Sequence, residues 1–119
     1  MGRIINVQTT VDSRKKGESL VEAILEQELA AWGMVSGPIT SLYLQDGSME
    51  TTQEWMCTFW TREALFGKIE REIMKNHPYE EPSVASLPVL EGNRAFMEWI
   101  DEETADGEET ENDDEESGD

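Results

Sequence analysis

The chain has 119 residues, with 27 acidic and 9 basic side chains and a formal net charge of −18. One domain of ordinary size fits this length, and separate cofactor and substrate lobes do not. Phosphate-backbone binding needs clustered Lys and Arg, so a chain this acidic is not expected to bind nucleic acid. The acidity is uneven: residues 1–100 carry 15 acids and 9 bases, whereas residues 101–119 carry 12 acids and no base. Residues 101–119 hold Ala105 as their only apolar side chain. Too little surface can be buried there to offset the entropy of ordering, so a folded domain over 1–101 and an acidic disordered tail over 102–119 are expected. No apolar run suits a signal peptide or a spanning helix, so the expected setting is cytoplasmic and not membrane-bound. The lone Cys57 excludes an intramolecular disulfide and a multi-cysteine zinc site.

Taken in chain order, residues 3–10 alternate as a strand, with Ile5, Val7 and Thr9 on one face. Asp12 or Ser13 is a helix N-cap. Leu20, Val21, Ile24, Leu25, Leu29 and Trp32 recur at helical spacing, with Glu18, Glu22 and Glu26 opposite, which predicts an amphipathic helix ending near Gly33. Ser36-Gly37-Pro38 interrupts the chain before a strand over 39–44. Asp46-Gly47 signals a two-residue hairpin. The returning strand, 54–60, puts Trp55, Cys57 and Phe59 on one face and Met56, Thr58 and Trp60 on the other, so both faces are expected to be covered.

Thr61 is expected to cap a second helix bearing Leu65, Phe66, Ile69, Ile73 and Met74, which must stop by Asn76-His77 because Pro78 disfavours helical geometry before it. Residues 83–90 read as a last strand, placed at an edge by Pro88. Gly92-Asn93 caps a short helix carrying Phe96, Met97, Trp99 and Ile100. The order β-α-β-β-α-β plus a short C-terminal helix predicts an α+β, ferredoxin-like split βαβ sandwich. One sheet face then packs on both helices, and large apolar side chains on the other face predict oligomerisation.

The most distinctive stretch is His77-Pro78-Tyr79-Glu80-Glu81-Pro82, followed by Ser83 to Val89. With Leu29-Ala30-Ala31, Ile39-Thr40-Ser41-Leu42-Tyr43, Thr61-Arg62-Glu63, Glu91-Gly92-Asn93 and Trp99-Ile100, it resembles the CutA family of divalent-cation tolerance proteins over residues 3–101. The resemblance implies a homotrimer similar to the PII signalling proteins, with no enzymatic activity, linked to tolerance of divalent metals and to copper. It also exposes departures: Trp32 stands where the family usually has Cys, and Trp60 where it usually has Lys.

For the metal implied, His77 offers a neutral imidazole suited to copper or zinc, and Glu80, Glu81 and Cys57 are further candidate ligands. Each has a plainer reading beside it. His77 can cap the second helix and bond a backbone group, and Cys57 can be an inert buried thiol. The scattered methionines read as core filling. No Gly-rich phosphate loop, HExxH pair or nucleophile–base arrangement is present. The expected function is a non-enzymatic homotrimer that binds divalent metal, with copper first, the metal not being required for folding. The alternative is a PII-like sensor or scaffold holding a small anion between subunits. The charge further predicts a high-salt, halophilic setting, because salt screens self-repulsion.

Overall fold

A computed structural model describes residues 2–105; the remaining acidic stretch, 106–119, lies outside the described residues. Its strands are β1 (Ile4–Val11), β2 (Trp32–Gln45), β3 (Ser48–Arg62) and β4 (Ala85–Pro88), and its helices α1 (Arg14–Glu26), α2 (Phe66–Asn76) and α3 (Arg94–Glu103). The sheet order is β2-β3-β1-β4, with every neighbouring pair antiparallel. This is the split βαβ arrangement expected from the element order.

Register decides which side chains share a face. Val7 pairs with Phe59, Thr9 with Cys57, and Gly33 with Phe59, and these residues point at the helices. Ile5, Val7, Val11, Cys57 and Phe59 meet Leu20, Val21 and Ile24 of α1 and Ile69 and Ile73 of α2 in one buried core. Gly17 sits where α1 crosses the sheet. A Cβ there would come within 3.1–3.3 Å of Val35, Cys57 and Val11, so the glycine permits close helix–sheet approach.

The first helix is shorter than its periodicity predicts. Ser13 caps it, its Oγ accepting from the Lys16 N–H at 3.1 Å. At the other end Glu28 adopts φ 59°, the Leu29 N–H donates to the Ile24 carbonyl and the Glu28 N–H to the Leu25 carbonyl. That is a Schellman closure with Glu in the position usually held by Gly. Leu29 still reaches the core, but Trp32 belongs to β2 and not to α1. Strand β2 also starts earlier than expected and passes through Gly37-Pro38. One extra residue is absorbed there as a bulge between Ser36 and Ile39, on an edge strand that can spare the proline N–H. Thr61 is no helix cap. It lies buried near the end of β3, its hydroxyl donating to the Leu29 carbonyl at 2.6 Å, and a 3-10 turn (Glu63–Leu65) begins the second helix instead.

The sheet's second face carries Ile4, Asn6, Gln8 and Thr10 of β1, Met56, Thr58 and Trp60 of β3, and Trp32 and Met34 of β2. Helix α3 covers one end of it. Phe96 packs edge-on to Trp60 at 5.3 Å and to Trp32 at 6.0 Å, and Trp99 closes the group. Trp32 and Trp60 lie directly opposite each other in the register and stack at 6.2 Å, so they belong to one aromatic cluster. The helix runs through Glu103, past the expected start of the tail. Thr104 is buried and accepts from the Arg62 guanidinium at 2.8 Å, and the Ala105 N–H donates to the Glu28 carbonyl.

Among the described residues no third strand joins β2 and β3 beyond Glu54. Their outer halves form a two-stranded arm closed by Asp46 and Gly47 at φ 52° and 83°, the type I′ hairpin expected from Asp-Gly. Leu42, Leu44 and Met49 on this arm are 61%, 76% and 70% exposed. Met34 and Met74 are exposed as well, so three of the methionines read as core filling are on the surface.

Candidate functional site

The His77–Pro82 stretch begins where α2 stops. His77 is the C-cap, held extended at φ −77° and ψ 142° as Pro78 requires. The Tyr79 backbone N–H donates to His77 Nδ1 at 3.0 Å. Nδ1 is therefore the acceptor nitrogen of a neutral ring, and Nε2–H donates to Thr9 Oγ1 at 3.0 Å. Burial lowers the His77 pKa from 6.5, against the opposing pull of a backbone bond at Thr10 and the charges of Asp12 and Glu54. The ring also lies 4.8 Å from that of Tyr79.

From there the network runs to the second sheet face. The Tyr79 hydroxyl donates to Glu54 Oε2 at 2.7 Å, and Thr10 Oγ1 donates to the same oxygen at 3.3 Å. Burial and the Glu54 carboxylate push the Tyr79 phenol well above its usual pKa. These groups border an open cleft of about 940 Å³ between the arm and the His77–Pro82 turn. Asp12, Glu54 and Glu81 contribute three carboxylates to its lining, Thr10, Ser41, Tyr43, Tyr79 and Ser83 contribute hydroxyls, and no base lines it. Such a cleft attracts cations and repels anions.

The sequence-predicted ligands are not gathered into one site. Glu81 lines the cleft, Glu80 is exposed outside its lining, and His77 turns both nitrogens to the protein. Cys57 is wholly buried on the helix side, its thiol 3.9 Å from the Gly17 carbonyl and pushed up by burial to about 11. Among the described residues no three His, Cys, Asp or Glu side chains are grouped to hold a metal ion. The donor set of one chain therefore does not fit a resident metal. Glu54, Thr9 and Thr10 were not singled out by sequence reasoning. The usable signal was Glu54, a lone carboxylate at the point where β3 turns apolar.

The family model for the CutA1 divalent ion tolerance protein matches residues 5–103. The chain belongs to the CutA1 family. It is 32% identical over 98 residues to the divalent-cation tolerance protein CutA of Thermus thermophilus, covering 82% of this chain and 95% of that one. It is 32% identical over 100 residues to the chloroplastic protein CutA 1 of Oryza sativa, of whose length it spans 56%. The crystal structure of CutA1 from Oryza sativa superposes with a TM-score of 0.84 at 30% identity, covering 88% of this chain and 96% of that one. The matched region ends at Glu103, the last residue of α3, so the CutA1 domain and the folded body described above nearly coincide. No helix among the described residues of this CutA1 chain is long and apolar enough to cross a membrane.

Proposed function

We propose that this CutA1-family chain works as a non-enzymatic, cytoplasmic homotrimer in tolerance of divalent cations, copper being the first candidate. The observation that carries the assembly is apolar surface left uncovered on both faces of the sheet. Met34 is exposed on the second face, and the arm holds out Leu42, Leu44 and Met49, which by register continue the helix-side face beyond the helices, with no third strand among the described residues to support them. Two-stranded ribbons are marginal alone, and an apolar patch of this kind marks an interface. Cations would be drawn to the cleft by Asp12, Glu54 and Glu81, with Glu80 nearby in sequence. Carboxylates not arranged as a cage bind weakly and exchangeably, which suits tolerance better than storage. Isothermal calorimetry with CuSO4 tests the cation reading. Heat of binding that falls in the Glu54→Gln, Glu81→Gln double variant supports it, and identical binding in both proteins refutes the cleft as the place.

One observation favours the second reading, an anion-binding PII-like sensor. A separate hollow of about 440 Å³ is lined by Lys15, Lys16, Ser19, Asn76 and Pro78. Thermal shift against phosphate and nucleotides discriminates: stabilisation by these, lost in Lys15→Gln, Lys16→Gln, and none by copper would favour the sensor.

A further inference from the structure

We infer that His77 in this chain is a tautomer-locked positioning residue and not a metal ligand. The inference rests on the two hydrogen bonds of the ring, and it holds whether or not the cleft takes up copper.

Nδ1 accepts the Tyr79 backbone N–H and Nε2–H donates to Thr9, each at 3.0 Å, so neither nitrogen has a free lone pair. A metal at Nε2 would need that nitrogen unprotonated. The proton of a neutral ring would then move to Nδ1, where it would face the Tyr79 N–H, donor against donor. A metal at Nδ1 would displace that N–H directly and leave it without its partner. Either route dismantles the turn. No second ligand stands ready to compensate: Cys57 is enclosed by the core, and no donor group of three is assembled among the described residues.

What the locked ring does is join three elements. Nε2–H ties the end of α2 to Thr9 on the helix side of β1. Nδ1 fixes the Tyr79 backbone, and the Tyr79 side chain reaches the Glu54 carboxylate on β3. His77 thereby acts through Tyr79 on the wall of the cleft, and the HPYE stretch of this chain serves as a brace.

The full chain has a single histidine, so long-range 1H–15N spectra at pH of about 8 read its tautomer without ambiguity. The expected result is a proton on Nε2 and a bare Nδ1, and the opposite tautomer, or rapid averaging of the two, would overturn the inference. Electron spin-echo spectra of the wild type titrated with CuSO4 should lack imidazole-nitrogen modulation, and its presence, with one histidine as its only source, would overturn the inference. If the protein takes up no copper, the copper part of the proposed function fails while the tautomer spectrum still decides this inference. Thr9→Val removes only the acceptor at Nε2, and should lower the melting temperature with copper binding unchanged. The His77→Gln variant should also speed hydrogen exchange at the Tyr79 amide, which loses its acceptor, an effect that loss of a ligand alone would not produce; an unchanged exchange rate would contradict the brace.

Discussion

His77 is neutral in the fold because burial outweighs the attraction of Asp12 and Glu54. The unfolded ring takes up its proton around pH 6.5 and the folded ring only at lower pH. The neutral ring's contribution is therefore complete above pH 6.5 and is lost as pH falls below it toward the folded pKa. Thermal melts between pH of about 7 and 5 should show a steeper loss in the wild type than in His77→Gln, and equal slopes would contradict the assignment. Cys57 is a simpler case. Its wholly buried thiol should resist alkylation in the native protein and react once guanidinium unfolds it, so prompt native labelling would show that the core opens there. The wholly buried Phe59 packs between the helices and the sheet, and Phe59→Ala should cost about 3–5 kcal/mol in denaturant unfolding. The residue types at these positions were legible in the sequence. The orientation of the His77 ring was not, because it depends on Thr9, which lies 68 residues away.

Elements were most legible where one residue's chemistry forces the backbone. Asp46-Gly47 announces its turn, and Pro78 ends α2 at the expected place. The Gly47→Ala variant forces a side chain into φ 83° with no neighbour to clash, so a loss of about 1 kcal/mol by equilibrium unfolding is expected, from backbone strain alone. Element boundaries failed where a tertiary contact overrode a local signal. The end of α1 is closed by Glu28 instead of a glycine, and Trp32 keeps helical spacing with Leu25 and Leu29 although it starts a strand. Thr61 resembles a cap, yet its hydroxyl serves the Leu29 carbonyl. The aromatic cluster was hidden for the same reason, since Trp32, Trp60, Phe96 and Trp99 meet only through sheet register and the return of α3.

At the scale of the whole molecule, the single chain leaves apolar surface uncovered on both sides of its sheet. The second face is capped by α3 at one end and exposes Met34, and on the helix side the arm carries Leu42, Leu44 and Met49 beyond the reach of the helices. The charge sets a condition on completing it. The folded portion carries moderate acidity, but residues 101–119 add twelve acids that every copy brings to an assembly. At about 1 M salt the Debye length falls to roughly 3 Å, which screens that repulsion, and at low ionic strength it does not. The proposed assembly is therefore expected to hold in concentrated salt and loosen as salt is removed. Light scattering coupled to size exclusion of the full chain in concentrated KCl is the most direct test. Three times the 13.5 kDa chain mass is predicted there, shifting toward the single-chain mass in dilute buffer. A mass of 13.5 kDa in concentrated salt would contradict the account, because Met34 and the apolar side chains of the arm would then stand open in water.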